Sequence, residues 1–454
     1  MQKIRARQAL VSGEWKRDVV VDIDGDGRIA GVSQGTSGDA FEVGLLLPAP
    51  VNLHSHAFQR AMAGMTERRG PHGRDTFWTW RKLMFRFLEE LTPDDIEKIT
   101  AFVQMEMLEA GYSAVAEFHY VHHQPDGSPY DDIGELSARI ASAVEQTGIG
   151  MTLLPVLYQQ GGCDGSPLAP GQVRFGNTSD RFAKLHARSN ELVRQMPQDA
   201  NAGVAPHSLR AVSRDGLAAC LTLASDGPVH MHLAEQTAEV DEVLAAYGKR
   251  PVDWLLTNHD VDERWCLIHC TQMSEGETVR LAASGAVAGL CPITESSLGD
   301  GIFNGSTYIG SGGKFGIGSD SNIRISLSEE LRTLEYSQRL RDRQRAVLAT
   351  ESASTGRALF EGAVAGGMQA AGRDSGNIEV GKWADLLALD MAHLDLEGRD
   401  GDGALDSFIF AGDDNMVTEV WSAGRHVVQG GHHINRNEIQ EGYRNTMRSL
   451  RDRI

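Results

Sequence analysis

The stretch Val51-Asn52-Leu53-His54-Ser55-His56 has the pattern of a buried strand that ends in two histidines. Side chains two residues apart on a strand point to the same face, so the imidazoles of His54 and His56 can hold one ion between them. Paired histidines on a strand are a weak signal alone, because many serve only as hydrogen-bonding residues. The interpretation therefore depends on what ends the other strands.

Three further apolar stretches also end in metal-ligating or acidic side chains. His232 ends one of them and is followed three residues later by Glu235, His269 ends the next, and Asp320 ends the last. An aspartate after Gly-Ser is by itself more typical of a helix N-cap than of a ligand. The carboxyl ends of parallel strands meet at one rim, however, and in a (β/α)8 barrel that rim is where catalysis occurs. The four placements together predict a metal site with these ligands: His54, His56, His232 and Asp320.

Apolar strands alternate with helical stretches over the middle of the chain. That alternation favours a parallel α/β fold, and its length suits a barrel with insertions. Both ends of the chain contain short strand-like segments, for example at residues 19–23 and 417–421. We therefore predict an α/β fold with a (β/α)8 TIM-like barrel over residues 47–376. A small β-sandwich domain formed by both chain termini takes residues 1–46 and 377–454.

Composition excludes several classes of partner. The 454 residues carry a formal net charge of −19, which disfavours nucleic acid and anionic membranes. No run of about 18 apolar residues is present, so we expect no membrane span. The five cysteines are odd in number and form no CxxC pair, which favours a reducing cytoplasm. We interpret Cys270 and Cys291 as packing residues, and His230, deeper in its strand than His232, as structural.

Three neutral imidazoles and one carboxylate around a divalent ion leave a net charge of +1 and an open position for water. Glu235 is then the natural proton shuttle, although a first-turn helix carboxylate has the same sequence pattern. His269 can hydrogen-bond the attacking oxygen. We predict one divalent metal ion per chain, with Zn²⁺ the best fit and iron or manganese still open. The predicted catalytic residues are Glu235, His269 and Asp320.

Several segments resemble the amidohydrolase superfamily. Residues 47–56 resemble its first-strand motif, residues 232–235 resemble the His-x-x-Glu of its deaminase branch, and residues 376–387 resemble its return into the β domain. No convincing lysine ends the fourth strand, where two-metal members carry a carboxylated lysine. The resemblance therefore implies a single-metal site.

Within that superfamily, longer segments are similar to the formimidoylglutamate deiminase family. They lie at residues 75–81, 117–123, 205–210, 291–301 and 318–322. This resemblance implies hydrolysis of N-formimidoyl-L-glutamate to N-formyl-L-glutamate and ammonia, a step of histidine degradation.

A dicarboxylate substrate needs cationic partners, and the planar guanidinium of arginine binds carboxylates in bidentate fashion. Arg81 and Arg210 lie in the family-like segments and are the predicted partners, although most arginines of any chain are solvated or in surface ion pairs. Trp78 and Trp80 fit an apolar lid or a core position equally well. The predicted substrate-binding residues are Gln59, Arg81, Tyr120, His207 and Arg210.

Two other functions remain open at this point. The first is a deaminase of the same branch that acts on a purine, pyrimidine or triazine ring, for which amide and aromatic contacts would suit better than two arginines. The second is a non-enzymatic metal-bound scaffold, which the intact set of ligands argues against. We also expect a homodimer, because the exposed faces of a barrel make one plausible.

Overall fold

Strands from both ends of the chain lie in one sheet, and the segment between them alternates strands with helices. The computed structural model describes residues 2–35, 38–67, 77–224 and 226–454, with only the backbone described for residues 77–79.

The strands are β1 (Gln2–Val11), β2 (Glu14–Ile23), β3 (Ile29–Gln34), β4 (Phe41–Pro48), β5 (Val51–Ser55), β6 (Ala114–His119), β7 (Gly150–Leu157), β8 (Asn201–Ala202), β9 (Ala205–Pro206), β10 (Val229–Leu233), β11 (Trp265–His269), β12 (Val287–Leu290), β13 (Lys314–Ile317), β14 (Leu386–Leu389), β15 (Val417–Ser422), β16 (Arg425–Gln429) and β17 (His432–His433). The α-helices are α1 (Phe77–Glu90), α2 (Pro93–Glu109), α3 (Glu135–Thr147), α4 (Ser179–Val193), α5 (Arg214–Leu223), α6 (Thr237–Tyr247), α7 (Pro251–Asn258), α8 (Glu275–Ala283), α9 (Pro292–Leu298), α10 (Gly305–Gly310), α11 (Leu327–Asp342), α12 (Thr355–Ala371), α13 (Asp402–Phe410) and α14 (Arg436–Arg451). Short 3-10 helices lie at Ala57–Met62, Pro170–Phe175, Leu394–Leu396 and Asp414–Met416.

The sheet of the two termini has the strand order β17-β16-β15-β14-β4-β1-β2-β3. Strand β4 lies at its centre, parallel to β1 on one side and antiparallel to β14 on the other. Alternate residues of β1 and β2, such as Ile4 and Val21, are buried together with Leu386 and Trp421 from the other end of the chain. Strands from both ends of the chain thus share one sheet and one cluster of buried apolar residues.

The middle of the chain contains two parallel sheets, β5-β6-β7-β8 and β10-β11-β12-β13. Strand β9 pairs with β7 beside β8. Isolated bridges connect the two sheets on both sides, Val204 with Val229 and Ser55 with Asp320. The prediction of an α/β fold with parallel strands is confirmed.

Helix α12 approaches β5 and β13 closely because glycines lie at the contact. A Cβ built at Gly366 would stand 1.8 Å from the carbonyl oxygen of Phe315, and one at Gly367 would stand 2.8 Å from that of Val51. Any larger residue would push the helix away from the strands. This contact supports β5 and β13, the two strands that lead to His54 and Asp320.

The last helix, α14, was not predicted from the sequence pattern. Few of its residues are apolar, and only Ile439, Thr446 and Leu450 are buried. Its Tyr443 ring stacks on Phe102 of α2 with the centroids 3.9 Å apart. Among the described residues, no helix is both long and apolar enough to cross a lipid bilayer.

A buried ionic network ties the terminal sheet to the parallel strands. Arg373, just after α12, donates to both carboxylate oxygens of Asp385 (2.6 and 2.9 Å) and to Asp199 Oδ2 (2.8 Å). Arg425 of β16 donates to Asp199 Oδ1 at 2.7 Å. Burial opposes ionisation of Asp199, but the two arginines outweigh it and hold the pKa of that carboxyl below its ordinary value.

Arg373→Met should destabilise the protein strongly. The buried Asp385 would lose the guanidinium group that pairs with it, and Asp199 would lose one of its two guanidinium partners. Breaking a buried pair on one side typically costs about 3–5 kcal/mol, which urea unfolding followed by circular dichroism can measure. Arg17→Met is the control, because the Arg17–Asp400 pair is exposed and should contribute little. Equal midpoints for the two variants would contradict the prediction.

Candidate active site

Four predicted ligands converge where the strands end. The ligating atoms of His54, His56, His232 and Asp320 all lie within 4.8 Å of one another, and all four residues are buried. His54 Nε2 lies 3.1 Å from His232 Nε2 and 3.4 Å from Asp320 Oδ1. His56 Nε2 lies 3.3 Å from the same carboxylate oxygen. Three ring nitrogens and one carboxylate thus surround a single point.

Backbone carbonyls fix which ring nitrogen carries hydrogen in two of these histidines. His56 Nδ1 lies 3.0 Å from the carbonyl oxygen of Phe118, and His232 Nδ1 lies 3.1 Å from that of His207. A carbonyl can only accept, so each Nδ1 must donate, and each Nε2 presents a lone pair to the cluster when the ring is neutral. Burial lowers the pKa of both rings, and that of His54, which keeps them neutral.

This donor set fits a divalent cation. Neutral imidazole nitrogens and a carboxylate are the ligands that zinc takes in catalytic sites, and histidines with a second hydrogen bond to a backbone carbonyl are typical of them. A cation would also compensate the buried charge of Asp320. We therefore identify these four residues as a candidate metal site.

Left-handed backbone conformations direct side chains into the site. His269 has φ 72° and Asp320 has φ 47°, a region that non-glycine residues seldom occupy. The strain is held by hydrogen bonds across the strand ends: Asp320 N donates to His54 O at 2.9 Å, and His56 N donates to Asp320 O at 3.0 Å. Clustered strain of this kind is characteristic of functional sites.

Small polar residues form a buried network behind the ligands, which sequence reasoning missed. Asn52 Nδ2 donates to Ser319 Oγ (2.7 Å), Ser319 Oγ donates to Asn322 Oδ1 (2.6 Å), and Asn322 Nδ2 donates to Ser55 Oγ (3.2 Å). All four residues are fully buried. The network links the two segments that carry the ligands. Its signal in the sequence is the alternation of Asn and Ser with the ligands themselves.

Glu235 and His269 lie beside the ligand cluster, as predicted. His269 Nε2 is 3.9 Å from Glu235 Oε1 and 3.9 Å from Asp320 Oδ2. Its Nδ1 lies 3.2 Å from Glu295 Oε1, an oxygen that also accepts from the backbone N–H of Cys291 at 2.9 Å. Glu295 was not predicted, although it lies in the family-like segment at residues 291–301. It fixes the orientation of the His269 ring.

The electrostatics of this pair suit proton transfer near neutral pH. Burial raises the pKa of Glu235 to about 7, and the charge of nearby Glu239 adds to the shift while His269 opposes it. For His269, burial opposes the charged form, but Glu235 and Glu295 outweigh it and raise the pKa. A carboxyl group with a pKa near the working pH can both take and release a proton.

Glu239 holds the loop that carries Glu235. Its two carboxylate oxygens accept from the backbone N–H groups of Ala234 (3.1 Å) and Glu235 (2.9 Å). Ala234 has a left-handed backbone, φ 53°. Sequence reasoning missed Glu239, which lies in the first turn of α6.

The predicted substrate-binding residues meet in a cavity next to the ligands. The cavity is lined by His56, Gln59, Trp80, Arg81, Met84, Tyr120, Tyr158, Phe175, His207, Arg210, His232, Glu235, His269, Leu298, Asp320 and Ser321. Trp80 lines the cavity and also packs against the main apolar core, whereas residues 75 and 76 and the side chain of Trp78 lie outside the described residues. Tyr158, Met84, Phe175 and Leu298 were not predicted.

Polar groups in the cavity present both donors and an acceptor. Gln59 Nε2 donates to Tyr120 Oη at 2.7 Å, and Gln59 Oε1 is buried without a partner among the described residues. Arg81 Nη2 donates to Tyr158 Oη at 3.0 Å. Burial, with the nearby Arg210 and Arg81, lowers the pKa of His207 and keeps its ring neutral.

Two predictions concern residues outside the reacting groups. His230 Nε2 lies 2.7 Å from the carbonyl oxygen of Ala370, and the ring is fully buried, in keeping with a structural residue. Cys270 and Cys291 are also fully buried.

The chain belongs to the amidohydrolase family, whose family model matches residues 45–427. Formimidoylglutamate deiminase of Pseudomonas aeruginosa is 46% identical over 100% of both chains. The crystal structure of an amidohydrolase from Brucella melitensis has a TM-score of 0.95 and 46% identity, covering 99% of this chain and 100% of that one. An adenosine deaminase from Xanthomonas campestris with bound zinc shares the fold, with a TM-score of 0.82 and 22% identity over 99% and 98% of the two chains. The predicted superfamily is confirmed.

Proposed function

We propose that this protein hydrolyses N-formimidoyl-L-glutamate to N-formyl-L-glutamate and ammonia, a reaction of histidine degradation. The observation that carries the proposal is one cavity with a candidate metal site and Glu235 beside two arginines. The 46% identity to the Pseudomonas aeruginosa deiminase supports it. A purine, pyrimidine or triazine ring would not need the two cationic side chains, so the alternative deaminase activities are not favoured.

We infer one divalent ion per chain, with Zn²⁺ as its identity. The set of four ligands and the bound zinc of the Xanthomonas campestris structure support this inference. Such an ion lowers the pKa of a bound water towards about 7 and so supplies hydroxide at neutral pH.

Glu235 and His269 perform the proton transfers in the proposed reaction. Glu235 takes a proton from the attacking water and passes it to a nitrogen of the amidine, which then leaves. His269, oriented by Glu295, hydrogen-bonds the attacking oxygen and stabilises the tetrahedral intermediate. In the proposed reaction Asp320 Oδ2, which lies 3.9 Å from His269 Nε2, accepts a hydrogen bond from the attacking water.

Substrate recognition uses the polar and cationic side chains that line the same cavity. Arg81 and Arg210 bind the two carboxylates, and burial of Arg210 strengthens its attraction for an anion. Tyr120 and His207 give polar support in the same cavity. Gln59 Oε1 accepts a hydrogen from the amidine, which has N–H groups and no anionic oxygen.

We also propose a closed barrel, a domain formed by both termini and a cytoplasmic location. The bridges Val204–Val229 and Ser55–Asp320 support a closed (β/α)8 barrel over residues 47–376. The shared burial of strands from both termini supports a β-sandwich domain of residues 1–46 and 377–454. The five free cysteines support a cytoplasmic location. The homodimer stays a prediction, for which sedimentation velocity is the direct measurement.

Metal analysis tests the candidate metal site. Purified protein should contain about one divalent ion per chain, by analogy with three-histidine sites that have one carboxylate. His56→Ala should lose most of that metal because it removes one of the four ligands, whereas His393→Ala, at the surface, should keep it. Inductively coupled plasma mass spectrometry gives the count. A value near two per chain would contradict the single-metal proposal.

Replacement of the shuttle tests the proton transfer. Glu235→Gln should keep the metal and lose about 10²–10⁴-fold in kcat, because an amide cannot carry the proton. Asp241→Asn, exposed on α6, is the matched control and should keep full activity. Ammonia release in a coupled assay measures both variants. A near-normal kcat in Glu235→Gln would remove Glu235 from the mechanism.

Product analysis tests which bond breaks. The intermediate has two nitrogens, and expelling the terminal one gives ammonia and formylglutamate, whereas expelling the other gives formamide and glutamate. If the arginines hold the glutamate part away from the ligands, Glu235 reaches the terminal nitrogen. We therefore expect ammonia and N-formyl-L-glutamate in equal amounts, which carbon NMR of the reaction mixture can measure. Formamide with free glutamate as the main products would overturn the deiminase proposal and leave the metal site intact.

A further inference from the structure

Tyr158 lies in the wall of the cavity, within hydrogen-bond distance of Arg81. It follows directly after β7, is 3% exposed, and lines the cavity together with Arg81 and Arg210. Its ring packs edge-on to His207, with the centroids 4.6 Å apart, and against Phe175 at 5.5 Å. These contacts hold the phenol in one orientation.

The phenolic oxygen accepts two hydrogen bonds. Arg81 Nη2 donates to it at 3.0 Å and Gln172 Nε2 donates to it at 2.8 Å. The amide of Gln172 cannot be turned round without loss, because its Oε1 accepts from the backbone N–H of Ala169 at 2.8 Å. Both partners of Tyr158 Oη are therefore donors.

The hydrogen of this hydroxyl group has no acceptor among the described residues. Tyr120, on the other side of the cavity, gives the contrast: its Oη accepts from Gln59 at 2.7 Å and lies 3.5 Å from Met84 Sδ, to which it can donate. A buried O–H without an acceptor is costly. In Tyr158 that unused donor lies at the wall of a cavity that Arg81 also lines.

We propose that Tyr158 is a specificity-determining residue whose hydroxyl group donates to a carboxylate of the bound substrate, the one that Arg81 contacts. A carboxylate offers only acceptors, so it can take hydrogens from the guanidinium and from the phenol together. The proposal rests on the proposed function for the choice of a dicarboxylate substrate, but not on the chemistry of the metal site.

Selectivity follows from the same geometry. A ligand without that carboxylate leaves the O–H group of Tyr158 without its acceptor, and sites built for such hydrogen bonds reject ligands that lack the partner group. A neutral phenol adds a hydrogen-bond donor to the cavity without adding positive charge to a region that already contains two arginines.

Equilibrium binding of the reaction products tests the proposal without turnover. The ligands are N-formyl-L-glutamate, N-formyl-4-aminobutyrate, which lacks the α-carboxylate, and N-formyl-L-norvaline, which lacks the side-chain carboxylate. We expect Tyr158→Phe in the zinc-loaded protein to bind N-formyl-L-glutamate about 10-fold or more weakly by calorimetry, because hydrogen bonds to charged groups are strong. For one of the two monocarboxylates, Tyr158→Phe should lower the affinity by less than about 2-fold. The carboxylate that this ligand lacks is then the one that Tyr158 contacts. Tyr443→Phe, at the Phe102 stack, is the matched control and should change none of the three affinities.

A double-mutant cycle with Arg81→Met separates direct donation from an effect through the arginine. If Tyr158 only positions Arg81, Tyr158→Phe will cause no further loss in the Arg81→Met background; direct donation predicts a further loss of about 3-fold or more. The proposal would be overturned by an equal loss of affinity for all three ligands or by no loss of affinity. It would also be overturned if the unaltered protein did not bind N-formyl-L-glutamate. If binding depends on Tyr158 as expected but the protein releases no ammonia from N-formimidoyl-L-glutamate, the proposed function is overturned and the proposal for Tyr158 stands.

Discussion

The architecture depends on keeping three neutral imidazoles and one carboxylate together in a place from which water is largely removed. Burial keeps the rings uncharged, and the carbonyl oxygens of Phe118 and His207 take up the ring hydrogens of His56 and His232. The Nε2 lone pairs of these two rings then face other electron-rich groups, including the carboxylate of Asp320. A cation stabilises such an arrangement. The left-handed residues and the Asn–Ser network serve this one requirement, because each fixes a ligand-bearing strand end.

Side chains of both charges line the cavity, with Glu235 and Asp320 as the acidic groups and Arg81 and Arg210 as the cationic ones. A ligand that carries both a protonated amidine and carboxylates can offer each of these groups a partner of opposite charge. The net charge of −19 repels anions at long range, so the local field of the arginines must attract the carboxylates once they enter.

Sequence patterns predicted the parts of the site that follow strand periodicity. His54, His56, His232 and Asp320 end apolar runs, and the ends of parallel strands meet, so their convergence could be inferred. Tyr158, Glu239 and Glu295 could not, because their partners are distant in sequence or are backbone N–H groups that leave no pattern. Helix α14 was missed for a related reason: its few buried residues depend on the tertiary contact with α2.

The pairing of β4 with β14 has a consequence for how the chain is made. The apolar residues of β4 are synthesised roughly 340 residues before those of their antiparallel partner β14. At about 5–20 residues per second, synthesis of the intervening segment takes from about 17 s to over a minute. During that interval β4 is an open edge on a nascent protein, a form prone to join other unfinished chains. A chain that stops before residue 386 would therefore keep that edge of β4 exposed.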